Sequence, residues 1–125
     1  MTKEELMIGD WVFCTQNRKP EQVQEIGTGL VMLDYNDLYE YDEVEPIVLT
    51  AEILRRNGFV EYRKKHFRWE YDDGIFINAD FTAEEPFARV HNRCYFASPV
   101  CRYVHQLQHA MLLCGIRMKI KVTEE

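Results

Sequence analysis

Serine is almost missing from this chain: of 125 residues only Ser98 is one, and it stands before Pro99. No nucleophile elbow surrounds it, so serine-hydrolase chemistry has no seat. Neither G-x-G-x-x-G nor G-x-x-x-x-G-K-[ST] occurs, which removes the phosphate cradles of known type. Long apolar runs are also lacking. The longest, residues 110–114, has five members, far short of the roughly 20 that cross a bilayer. The opening MTKEELMIGDW places acids where a signal peptide needs a basic flank and an apolar stretch. A cytoplasmic protein, with no membrane partner, is therefore expected.

Cysteine is present but unpatterned. Cys14, Cys94, Cys101 and Cys114 form no C-x-x-C pair, and zinc ribbons need short paired spacings. Nothing suggests secretion, so buried reduced thiols are expected rather than a disulfide framework. With six glycines and four prolines the chain is neither fibrous nor low in complexity. Its 46% hydrophobic content is enough for a packed core.

Basic excess is absent too. The net charge is −6 and unevenly divided: residues 1–49 hold three bases and eleven acids, residues 50–125 twelve bases and ten acids. An acidic front half repels phosphate, while the rear half keeps room for a local basic patch. The carboxylates Asp34, Asp37, Glu40, Asp42, Glu43 and Glu45 lack the loop spacing and central glycine of an EF-hand and read as a solvated rim.

The punctuation predicts short strands first. An apolar stretch over 6–14 is kinked at Gly9, a turn follows at 17–20, and Gly27-Thr28-Gly29 joins two further strands, the second over 30–33, with another at 38–41. This cadence suggests a small β meander or an SH3-like barrel. Thr50 then serves as N-cap of a helix over 51–57 that buries Ile53 and Leu54 and stops at Gly58. In the next hairpin, Phe67, Trp69 and Tyr71 alternate with polar residues, as do Ile75, Ile77 and Ala79 after the turn. A three-residue loop with left-handed Gly74 pairs Tyr71 with Ile75, Trp69 with Ile77 and Phe67 with Ala79, which keeps one face apolar. A third strand is expected over 87–96, a helix over 102–114 stopped by Gly115, and a final strand over 116–122. The fold class is α+β: a β-rich lobe over 1–49, then an antiparallel sheet packed on one C-terminal helix over 50–125, with separate cores or one shared core.

Three surfaces compete for function. The first is the last helix. A wheel puts Tyr103, Val104, Leu107, Ala110, Met111 and Cys114 within roughly 120°, a stripe for the sheet. His105 and His109 fall on the other side, flanked by Leu112 and Leu113. Apolar residues on both sides call for a cover, so His105, His109, Leu112 and Leu113 form a candidate protein-binding surface, in a homodimer or with another partner. The second is a basic sheet face. If Ile116, Met118, Ile120 and Val122 face the helix, Arg117, Lys119 and Lys121 face away, about 6.6 Å apart. With Arg89, His91 and Arg93 (likewise two apart), Arg68 opposite Asn78, and the aromatics Phe76 and Tyr95, they would grip single-stranded nucleic acid without reading sequence. Two plain alternatives compete: terminal lysines protecting a sheet edge, and docking of the acidic lobe on that face. The third is metal. His105 and His109 have the i, i+4 spacing of zinc ligands, but the neighbour of the first is Gln106, which cannot take a proton from water. No catalytic residue and no cofactor are assigned, and the expectation is a protein that is not an enzyme.

The segments EELMIGDWV (4–12), EVEPIVLTAEILRRNGF (43–59) and YVHQLQHAMLLCGI (103–116) resemble, in that order, a group of short uncharacterised proteins of gut Bacteroidetes and their prophages and mobile elements. The resemblance covers roughly a third of the chain. No activity is established for that group, so it implies no site residue. Its members often read HELQH where this chain reads His105-Gln106-Leu107-Gln108-His109. Under the resemblance, the exchange of Glu for Gln speaks against a protease.

Overall fold

The computed structural model describes residues 1–72, 74–92 and 97–123. The chain divides into two compact units, Met1–Ile47 and Val48–Glu125. Val48 and Leu49 belong to the second, because Leu49 N–H donates to the Arg102 carbonyl at 3.1 Å and Val48 bridges Tyr103. The fold class is α+β: among the described residues there are ten strands, all paired antiparallel, and two α-helices, the longer of ten residues. Among the described residues no helix is long and apolar enough to cross a membrane.

The first unit is built from two three-stranded sheets. In one, β1 (Trp11–Cys14) lies between β2 (Lys19–Gln22) and β6 (Val44–Glu45). In the other, β4 (Leu30–Met32) lies between β3 (Glu25–Ile26) and β5 (Leu38–Glu40). Alternate residues turn inward, as the two-residue strand period requires. Leu6, Val12, Cys14, Val23, Val31, Leu33 and Val44 make one buried cluster, with Ile26, Tyr39 and Tyr41 packed on it. The expected long first strand is shorter: Gly9 adopts φ +95°, and Asp10 takes the Met7 N–H on its carboxylate, so a turn occupies 7–10.

The second unit opens with α1 (Ala51–Arg56). Thr50 Oγ1 accepts the Ile53 N–H at 3.1 Å, Ile53 and Leu54 are buried, and Gly58 ends the helix at φ +87°. A four-stranded sheet follows in the order β10 (Phe87–His91), β9 (Ile75–Asp80), β8 (His66–Asp72), β7 (Val60–Arg63). The hairpin register is the one that the apolar face demands, with Phe67 opposite Ala79 and Trp69 opposite Ile77. It departs at the tip: Asp72, not Tyr71, meets Ile75, and Tyr71 is the extra residue of a bulge. Gly74 is left-handed at φ +80°.

Strand β10 ends at His91, and residues 93–96 of the expected longer strand lie outside the described residues. Its outer edge is covered by the returning chain, where Ala88 and Cys101 exchange hydrogen bonds of 2.9 and 2.8 Å. Helix α2 (Val104–Leu113) packs on β10.

The last expected strand is a correction. Among the described residues, 116–122 join no ladder. Their side chains still alternate: Ile116, Ile120 and Val122 are buried and Met118 half-buried, whereas Arg117, Lys119 and Lys121 are exposed. The alternation records an extended chain lying on a core, and at Lys121 and Val122 side chains of α1 and its C-cap hold its backbone groups. Asn57 accepts the Lys121 N–H at 2.7 Å and donates to the Lys121 carbonyl at 2.8 Å, while Arg56 donates to the Val122 carbonyl.

Candidate functional site

Helix α2 starts with its own device. Gln106 folds back so that its side-chain oxygen accepts the N–H groups of Arg102 at 2.9 Å and Tyr103 at 3.3 Å. A residue at the third helical position is suited to this, since the first backbone donors of a helix have no partner inside it. The oxygen that a protease would need beside His105 is thus committed to capping.

The two histidines do not share one environment. His105 belongs to the buried set of the helix, with Val104, Leu107, Ala110 and Met111, and is 6% exposed. This corrects the outward position read from the wheel. The Tyr103 ring stacks on it at 6.0 Å, and His109 meets it edge-on at 5.6 Å. His109 is half-buried. The outward surface is therefore its C-terminal end, where Leu112 is 59% and Leu113 85% exposed. Among the described residues no third His, Cys, Asp or Glu gathers with His105 and His109. The one trio that does gather is Glu40, Asp42 and Glu43, within 4.8 Å of one another on the first unit. Glu43 there accepts the Glu40 N–H, an ordinary turn-stabilising bond.

The outer face of the four-stranded sheet carries a stacked column. Arg68, Asn78 and Arg89 are in register across β8, β9 and β10, and so are Glu70, Phe76 and His91. The Arg68 guanidinium lies over the Phe76 ring at 4.0 Å, and His91 stacks on Phe76 at 4.7 Å and 11°. Glu70 orients Arg68 through a 3.1 Å ion pair. Burial, with Arg89 and Arg68 nearby, holds His91 below the ordinary histidine range. Arg89 is exposed.

Of the five basic residues in the nucleic-acid reading, Arg89 lies on this face. Arg93 lies outside the described residues. Arg117, Lys119 and Lys121 are exposed but stand on the terminal segment, off the sheet, because that segment forms no ladder. The single basic ladder expected across one sheet is thus divided between two elements. Arg68, His91 and Phe76, which the alternation assigns to this same face, do share it, and strand pairing brings them into one stack through Phe76.

Among the described cysteines thiol chemistry has little support, and Cys94 lies outside the described residues. Burial raises Cys101 and Cys114, which keeps both thiols protonated near neutral pH. Cys14 is fully buried.

No family model, curated protein or solved structure matches this chain.

Proposed function

We propose that the protein is a non-enzymatic binding or assembly module of the cytoplasm, working through the C-terminal end of α2 with a second copy of itself or another protein. The observation that carries this reading is the pair of adjacent leucines, Leu112 and Leu113, 59% and 85% exposed at the end of a helix whose other aliphatic residues are buried. Two large aliphatic side chains left side by side in water favour a cover, since each gains about 1.5–3 kcal/mol when fully buried. His109 supplies a polar edge to the patch. The SH3-like description of the first unit, and kinship with the mobile-element proteins that the sequence resembles, belong to the same proposal.

Size-exclusion chromatography with light scattering on the wild type and on Leu112→Glu/Leu113→Glu tests the homodimer form. A dimer that becomes a monomer in the variant is expected. A wild type that is already monomeric at high concentration would remove it.

A second reading rests on the sheet face. The Arg68–Phe76–His91 column with Arg89 beside it has the cation and aromatic character that holds single-stranded nucleic acid. Binding of an oligothymidylate that weakens with salt and on Arg89→Glu would favour it. No binding at about 50 mM salt would discard it.

A further inference from the structure

The outer face of the four-stranded sheet gathers its cations around one ring that can change charge. Phe76, on β9, meets the Arg68 guanidinium of β8 at 4.0 Å and the His91 imidazole of β10 at 4.7 Å. The imidazole lies 11° from the plane of the phenyl ring, and this stack fixes where it stands. Arg89 precedes His91 by two residues on β10 and so turns to the same face.

Among the described residues, His91 is faced by Arg68 and Glu70 from β8, by Arg89 from its own strand, and by the uncharged Phe76 and Asn78 from β9. The returning chain meets it with Ala97. Glu70 is the one acid of the group, and it is engaged with Arg68 at 3.1 Å. Two arginines against one glutamate leave this cluster a single positive charge, and a proton on His91 doubles it.

The same neighbours keep the ring neutral in the free protein, since burial, with Arg89 and Arg68 nearby, holds His91 below the ordinary histidine range. A phosphate drawn to the arginines reverses that balance, because a nearby anion favours the charged imidazole. Anion binding and protonation then strengthen each other by the same factor.

We infer that His91 takes up a proton when this face binds single-stranded nucleic acid, so that acidification tightens the grip. This rests on the nucleic-acid reading of the sheet and adds to it a control by pH. Well above the ordinary value of 6.5 the imidazole is neutral with or without ligand, and the gain appears as pH falls through that region. One more neutralised phosphate adds about 0.7 to the log–log salt slope of a single strand, which at about 0.1 M salt is about fivefold in affinity.

The test is fluorescence anisotropy of the full chain with rhodamine-labelled oligothymidylate at about pH 8 and about pH 5.5, in about 0.1 M salt. The wild type is expected to bind about fivefold more tightly at the lower pH, with a salt slope steeper by about 0.7. His91→Phe keeps a ring beside Phe76 but cannot be charged, so its affinity should be equal at the two pH values. His91→Arg is charged throughout and should bind at both with the tightness of the acidic wild type. Circular dichroism melts at each pH establish that the variants fold. Proton NMR gives a reading apart from affinity: His91 should titrate at a higher pH with saturating oligothymidylate than without it. No binding at either pH would remove the nucleic-acid reading and the inference together. Binding that weakens on Arg89→Glu yet ignores pH, or a pH dependence that His91→Phe retains, would overturn the inference and leave that reading standing.

Discussion

Asn57→Ala should be among the more damaging polar substitutions in the second unit. Its side chain makes three hydrogen bonds: it accepts from Lys121 N–H at 2.7 Å and donates to the carbonyls of Lys121 and Ile53, each at 2.8 Å. A bond of this kind is worth about 0.5–1.5 kcal/mol net. The residue is half-buried, so the lower part of that range applies, and the sum is about 2 kcal/mol. For a chain of this size such a loss lowers Tm by on the order of 8 °C. The same figure decides what Asn57→Ala does not do. Ile116, Ile120 and Val122 are 3%, 6% and 7% exposed, and each gains about 1.5–3 kcal/mol by burial. Their sum exceeds the clamp, so the terminal segment stays docked, with faster exchange of the Lys121 amide. Urea denaturation and amide exchange of the variant check both halves. Were residues 116–122 in fact a ladder strand, the substitution would cost under about 0.5 kcal/mol, as ordinary surface changes do. That result would refute the reasoning.

Three further outcomes follow from the described contacts. Thr50→Ala removes the N-cap of α1 and should cost about 1 kcal/mol in urea denaturation, with Thr50→Ser near neutral. Glu21 is 1% exposed, and only one of its carboxylate oxygens is bonded, to Asn17 Nδ2 at 2.8 Å. Glu21→Gln should therefore stabilise the fold by on the order of 1 kcal/mol, read as a higher melting temperature, whereas a lower one would mean that the charge is needed. His91 is held low by burial first, then by Arg89 and Arg68. A depressed histidine favours the neutral folded form, so stability is full above the ordinary 6.5 and declines as pH falls below it toward the lower folded value. Proton NMR should show His91 titrating below the ordinary range in the wild type and moving upward in Arg89→Gln.

Local signals carried part of the fold. The caps at Thr50 and Gly58, the stop at Gly115 and the pairing of Trp69 with Ile77 were all legible, because each depends on a few neighbouring residues and one apolar face. Strand β7 was not: Val60–Arg63 is exposed throughout and continues into two lysines, so it lacks the one-sided pattern by which a half-buried strand is recognised. The terminal segment shows the opposite failure. Its alternation was read correctly as extended chain and wrongly as a sheet member, since period 2 reports which side chains are buried and not where backbone groups bond.

Of the candidate surface, Leu112 and Leu113 were legible from the wheel. The burial of His105 was not, because a wheel gives direction along one helix and no account of what stands beside its first turn. The shared outer face of Leu30, Met32 and Leu38, opposite the core residues Ile26, Val31 and Tyr39, escaped for a related reason. Those side chains come together only when three very short strands pair, and none of the three is long enough to display an exposed apolar face by itself.

Gln106 has a wider consequence for pattern searches. The position that follows the first histidine is, in this chain, the third residue of its helix, within the first turn, where an acceptor side chain is wanted whatever else the protein does. Glutamate meets that need as well as glutamine. Two imidazoles with an acid between them can therefore arise from the mechanics of beginning a helix, and the spelling alone would mislead a reader looking for enzymes. Where the helix begins bears on the reading: an acceptor at its third residue has a capping role open to it that one placed deeper lacks.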